Sequence, residues 1–162
     1  MSEELERCYV AALRILNYRF NSTEELRRKL RSKKYEKDVI DDTLARLTAE
    51  KWLDDERFAS ALVRTRQNKR LGPRRIERDL QAAGVTRDSA QQAMKANADP
   101  VRQEADLRAL YDKRLRMMIR RHGEEYAASG EARNKLAVYL LKQGYDAALV
   151  RSVVKETPVV DD

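Results

Sequence analysis

The sequence predicts an all-α fold: three tandem three-helix, helix-turn-helix-like repeats in an elongated, modular array. Three observations predict it. The first is internal repetition, because Gly72 to Val85 lies over Ser22 to Tyr35 fifty residues earlier and over Ala132 to Tyr145 sixty residues later. In that overlay Ile76 falls on Leu26 and Leu136, Leu80 on Leu30 and Leu140, and Val85 on Tyr35 and Tyr145; the match runs on through Ala90, Ile40 and Val150, then Met94, Leu44 and Val154. A unit this small cannot bury its own apolar face and must stack on a neighbour. The second is composition: with only 5 Gly and 3 Pro in 162 residues, and Lys, Arg, Glu, Leu and Ala dominant, the chain favours helix almost throughout. The third is register, since Gly84 and Gly144 coincide at the same helix end. The repeats run over residues 1–53, 54–98 and 99–156, with a frayed tail at 157–162.

The first helix covers Glu4 to Asn17, with Leu5, Cys8, Tyr9, Ala12, Ile15 and Leu16 on one face. Ser22-Thr23-Glu24-Glu25 is a capping box that opens a second helix ending near Ser32 and burying Leu26 and Leu30. Glu36 to Lys51 forms a third, with Val39, Ile40, Leu44 and Leu47 inward and acids near its positive end. Trp52 and Leu53 then make an apolar plug before Asp54 and Asp55. Those adjacent carboxylates invite a metal or acid/base reading, but an N-cap followed by first-turn acids accounts for them.

The second repeat has helices at Asp55 to Gln67, Pro73 to Ala82 and Thr86 to Ala96. Gly72-Pro73 is a helix start, where the missing proline N–H is no loss. Its free amides, the positive end of the helix dipole and the cations Lys69, Arg70, Arg74 and Arg75 make a candidate phosphate or carboxylate site. Gly84 closes that helix in a left-handed cap. Asp99-Pro100 caps the longest helix, reaching Arg121 and about 33 Å long at the usual rise. It draws its buried face from Ala105, Leu107, Leu110, Tyr111, Leu115 and Ile119. His122 sits where this helix stops, as a C-terminal cap rather than a catalyst. Gly123 to Gly130 reads as a mobile loop, before helices at Glu131 to Gln143 and Asp146 to Lys155.

Net charge is +7, and its distribution is informative. Arg19 to Lys34 holds seven basic residues against two acidic, Arg64 to Arg78 holds seven against one, and Glu36 to Arg57 between them holds eight acidic against four basic. A charge run is ordinarily a solvated helix face. Recurrence at equivalent places in two repeats points instead to a face for a polyanionic partner. The candidate binding residues are Arg27, Arg28, Lys29 and Arg31 on the first repeat, and Lys69, Arg70, Arg74, Arg75 and Arg78 on the second.

With one His, one Cys, no CxxC and no HExxH, structural zinc and nucleophile–base pairs are close to excluded, and no glycine-rich phosphate loop is present. The expectation is a binder with no catalytic residues, no metal and no cofactor. No stretch approaches the length of a membrane span and the N-terminus lacks a signal pattern, so a cytoplasmic protein without a membrane partner is expected. Cys8, on the apolar stripe, is expected to be a small buried hydrophobe.

Three stretches resemble the RecX regulators of the RecA recombinase: Ser22 to Leu30, Leu53-Asp54-Asp55-Glu56-Arg57-Phe58-Ala59, and Gly72 to Leu80 with Gly84 after it. With the three-repeat plan they span nearly the whole chain, the third repeat matching only in spacing. One departure is Lys51, where such proteins commonly have Gly ahead of an aromatic residue. A left-handed lysine there costs about 1 kcal/mol. The resemblance implies a non-enzymatic modulator, usually an inhibitor, that lies along the groove of the RecA–single-stranded DNA filament. It restrains filament growth, ATP hydrolysis, strand exchange and SOS induction, and a monomer is expected. Two other readings stand beside it. A helix-turn-helix-like protein could bind duplex DNA as a transcription regulator, although Asn and Gln are sparse on the basic helices. A carboxylate-only nuclease would need Asp54 or Asp55 for metal-dependent cleavage.

Overall fold

The computed structural model describes residues 2–155, and the tail expected at 157–162 lies outside them. Ten helices are present among the described residues: α1 (Glu3–Tyr18), α2 (Thr23–Ser32), α3 (Lys37–Ala49), α4 (Asp55–Asn68), α5 (Pro73–Ala82), α6 (Arg87–Ala96), α7 (Pro100–His122), α8 (Glu124–Ala127), α9 (Gly130–Lys142) and α10 (Ala147–Lys155). Contacts divide the chain into two compact units. One comprises the residues up to Val63 together with Asp79–Ala96; the other comprises Arg64–Arg78 and the residues from Asn97 onward. Two of the three boundaries inside the second repeat fall within helices, so α4 and α5 contribute to both units, while the third follows the end of α6.

The overlay read from the sequence reappears as a burial pattern. Leu26, Ile76 and Leu136 are all buried, as are Leu30, Leu80 and Leu140, and then Ile40, Ala90 and Val150. A further triplet, Thr43, Ala93 and Val153, is buried at the same offsets. Equivalent residues bury because each repeat presents the same helical stripe, and burying one Leu or Ile side chain is worth about 1.5–3 kcal/mol.

In the first unit, Cys8, Ala12, Leu26, Leu30, Ile40, Leu44, Leu47 and Leu53 form one core. Ser22 caps α2 by accepting from the Glu25 amide, while the Glu25 carboxylate accepts from the Ser22 amide. A polar network ties α1 to α3: Arg46 lies over the Tyr9 ring at 3.7 Å and pairs with Glu6 at 2.8 Å and Glu50 at 3.0 Å, and Tyr9 donates to Glu50. Those donors hold the Glu50 carboxyl below the usual range, the Tyr9 hydrogen bond having the largest effect. Asp54 caps α4 through the Arg57 amide at 3.0 Å. Asp55 accepts from the amide and hydroxyl of Thr23, at 2.8 and 3.1 Å, and so secures the start of α2. Both carboxylates therefore have helix-start roles.

The second unit is built on Leu107, Tyr111, Leu136, Leu140, Tyr145, Val150, Val153 and Val154. Asp99 caps α7 through the Arg102 amide at 3.0 Å. The end of α4 is tied to the start of α7 by Gln67, which donates to the Asn97 carbonyl, and by Arg102, which donates to Asn68, each at 2.8 Å. Tyr145 is 1% exposed and donates to the Arg70 carbonyl at 2.7 Å.

Four expectations need correcting. Gly123 to Gly130 is not a simple loop, because Glu124–Ala127 forms α8 with Ala127 buried, packed against α7 and α9. Ala105 is exposed, since two residues along a helix from buried Leu107 is about 200° around the axis. Trp52 does not plug the core: Leu53 is 3% exposed and does so, whereas Trp52 is 53% exposed. His122 ends α7 with its ring 5.0 Å from that of Tyr126, and the Ile119 carbonyl is capped by the Gly123 amide.

Lys51 does adopt the left-handed conformation, at φ 63°, and the Trp52 amide then reaches the Leu47 carbonyl at 2.9 Å. Substituting Lys51→Gly should therefore stabilise the protein by about 1 kcal/mol. Urea-denaturation midpoints of the two proteins test this; a lower midpoint for the glycine variant would show the turn unstrained.

Candidate partner and nucleic-acid interface

The nine basic residues marked out in the sequence differ sharply in how much of their charge is already engaged. On α2, Arg27 bonds to Asp41 of α3 and pairs with Glu24 at 3.3 Å. That guanidinium holds the Asp41 carboxyl below its usual range. Arg28 pairs with Glu24 at 3.5 Å and donates to the Ala82 carbonyl at 2.8 Å. Lys29 donates to Asn21 at 2.6 Å, and burial lowers its ammonium from the usual value. Arg31 alone of this group is exposed without a carboxylate or hydrogen-bond partner among the described residues.

On the second repeat, Arg70 sits at φ 58° and pairs with Asp106 at 3.6 Å, and Arg74 pairs with Asp146 at 3.1 Å. Lys69 and Arg78 are exposed and Arg75 half-buried, and their side chains have no acidic partner among the described residues. Four cations thus remain available to an outside anion: Arg31, Lys69, Arg75 and Arg78. Charge counting could not separate them from the rest, because Glu24, Asp41, Asp106 and Asp146 are brought in by folding.

The phosphate site expected on the free amides at the start of α5 is occupied by the protein itself. The Gly72 amide donates to the Gln143 carbonyl at 2.8 Å and the Arg74 amide to the Gly144 carbonyl at 3.0 Å. Gly144, at φ 98°, lies so close that a Cβ on it would stand 2.4 Å from the Arg75 nitrogen. An equivalent contact occurs in the first unit. There the Ser22 hydroxyl donates to the Ala83 carbonyl, and a Cβ on Gly84, at φ 76°, would stand 2.4 Å from the Glu24 Cβ. In each unit a helix start is seated on a left-handed glycine turn, which accounts for the register of the two glycines. The corresponding residue of the first repeat is Lys34, at φ 69° and exposed.

Among the described residues no group of three or more His, Cys, Asp or Glu side chains could hold a metal ion, and no helix is long and apolar enough to cross a membrane.

Residues 8–47 match the family description of the RecX first three-helix domain, and residues 54–94 that of the second. A protein of Xanthomonas oryzae pv. oryzae named Regulatory protein RecX is 32% identical over 148 residues, covering 91% of this chain and 86% of its own. The chain belongs to the RecX family. A longer relative of the same name from Halalkalibacterium halodurans is 28% identical over 159 residues, 97% of this chain and 57% of that one. The crystal structure of RecX from Lactobacillus salivarius superposes with a TM-score of 0.79 over 96% of this chain and 97% of that one, at 24% identity. A second crystal structure, of regulatory protein RecX, gives 0.78 over 95% and 73%, at 21% identity. At that identity the likeness speaks for the RecX fold, and the domain matches place α2 with α3 and α5 with α6 inside the two RecX domains.

Proposed function

We propose that this RecX-family protein is a non-enzymatic regulator that restrains the RecA recombinase by binding the RecA–single-stranded DNA filament along its groove. Filament growth, ATP hydrolysis, strand exchange and SOS induction are the processes it would limit, as a cytoplasmic monomer without a cofactor. The observation that carries this reading is similarity over nearly the whole chain to relatives named as regulatory proteins. The unpaired cations Arg31, Lys69, Arg75 and Arg78 supply the anion-facing contacts, to acidic protein surface or to phosphates. Arg27, Arg28, Lys29, Arg70 and Arg74, from the same basic clusters, are largely committed within the fold and contribute more to shape than to binding.

The test is RecA-catalysed ATP hydrolysis on single-stranded DNA as the protein is added, at several salt concentrations. Inhibition is expected well below the amount that coats the DNA. The double variant Lys69→Glu, Arg78→Glu should raise the amount needed about tenfold or more, since two charge contacts of about 1 kcal/mol each are lost and reversed. Inhibition that sets in only when the DNA itself is saturated would refute the filament-directed mechanism. A discrete footprint on duplex DNA without RecA would replace it with the helix-turn-helix reading.

A further inference from the structure

Two of the large apolar side chains left in solvent, Phe20 at 48% and Trp52 at 53% exposure, line the same cleft. Its volume is about 260 Å³, and Leu16, Asn17, Asn21, Lys51 and Arg57 complete its walls. That is just below the range of about 300–1,000 Å³ typical of sites for drug-sized molecules, so the cleft suits one flat ring. Both aromatic residues stand on fixed backbone. Trp52 is held by the hydrogen bond its backbone amide donates to the Leu47 carbonyl and by buried Leu53 next to it. Phe20 is flanked by Asn21, 2% exposed, whose side chain donates to the Arg19 carbonyl at 2.6 Å.

The charge of the cleft selects its ligand. The Arg57 guanidinium lies 5.3 Å from the centre of the Phe20 ring, and neither it nor Lys51 has a carboxylate partner among the described residues. Exposed aromatic faces beside unneutralised cations are the arrangement that holds unpaired bases, the rings stacking and the cations meeting the backbone. The Asn17 carboxamide can donate to and accept from a base edge.

We propose that this cleft, between the end of α1 and the turn after α3, is a stacking site for one unpaired base of a single-stranded nucleic acid, with Arg57 and Lys51 on the adjoining phosphates. It deepens the reading above, on which it rests, by giving the strand a place of its own on the protein. It also gives the left-handed Lys51 a use, because a glycine there would relieve strain but remove a cation.

Trp52 is the only tryptophan, so its fluorescence reports the cleft directly. The full chain is titrated with oligothymidylate, with an abasic strand of equal length, and with RecA in the absence of DNA. Oligothymidylate should quench Trp52 saturably and the abasic strand should not. Phe20→Leu and Trp52→Ala, followed by the anisotropy of a labelled strand, should each weaken binding about 5- to 100-fold with an unchanged salt slope. Trp52→Phe should restore most of the loss, and Arg57→Gln should lower the slope by about 0.7. Equal quenching by the abasic strand would overturn the proposal, as would affinities within twofold of the parent in both Phe20→Leu and Trp52→Ala. Quenching by RecA alone and not by DNA would assign the cleft to a protein side chain and overturn it too. The two readings fail separately. Inhibition of RecA without any response from Trp52 removes only the stacking site, whereas stacking without inhibition removes only the RecA mechanism.

Discussion

Gly144→Ala is expected to destabilise the protein by about 3 kcal/mol or more, while the same change at Gly123 costs only its backbone penalty of about 1–2 kcal/mol. Both glycines have positive φ, 98° and 88° respectively, so both substitutions carry a backbone penalty of about 1–2 kcal/mol. They differ in what a methyl group meets. At Gly123 nothing lies within 4 Å, whereas at Gly144 the new Cβ falls 2.4 Å from the Arg75 nitrogen and 2.5 Å from its Cβ. Those atoms belong to the start of α5 and cannot swing aside as a side-chain tip could. The start must lift off, taking with it the bonds from the Gly72 and Arg74 amides to the Gln143 and Gly144 carbonyls. Each unsatisfied buried group adds about 1–3 kcal/mol. Gly130→Ala completes the series with the opposite sign: its φ is unremarkable and its surroundings open, so a gain of up to about 1 kcal/mol is expected at this first residue of α9. Urea midpoints for the three variants decide the matter, and equal losses at Gly144 and Gly123 would mean that the α5 start is not seated on this turn.

Leu140→Ala should cost about 3–5 kcal/mol and Leu141→Ala less than about 1 kcal/mol, although the two residues are adjacent. Leu140 is 0% exposed and joins the core with Leu107, Leu136, Tyr145 and Val150, so truncation loses transfer energy and leaves a cavity. Leu141, 39% exposed, lies a hundred degrees further round α9. Calorimetric melting of both variants gives the comparison. Similar losses would show α9 rotated from the face described.

These two cases mark where the sequence was informative. The buried set on α9, like those on α2 and α5, could be read from the three-and-four spacing of Leu136 and Leu140 and their equivalents, because a helix shows one stripe whatever covers it. The role of Gly144 could be read only as far as its left-handed turn. Its partner is Gly72, 72 residues away, and no local pattern announces a backbone-to-backbone seat. The same holds for the interface. The basic clusters were evident at once, but Arg27 and Arg74 became structural residues only when folding brought Asp41 and Asp146 to them. Trp52 was misplaced because apolar character alone does not say which of two neighbours, Trp52 or Leu53, turns inward. A left-handed lysine immediately before them decides it.

Lys34 carries a further consequence. A contact that repeats, a helix start on a glycine turn, is in principle open to a second molecule, and an interface of that head-to-tail kind yields fibres unless something interrupts it. At the first repeat the equivalent position is Lys34, exposed and left-handed, with a Cβ and a charge that the glycine turns lack. In the second unit α8 packs against α9 ahead of its first turn. Repeat proteins stay soluble when their terminal repeats are unlike the inner ones. Here a lysine in place of the glycine at the first repeat and a four-residue helix ahead of α9 make the terminal repeats unlike the inner one.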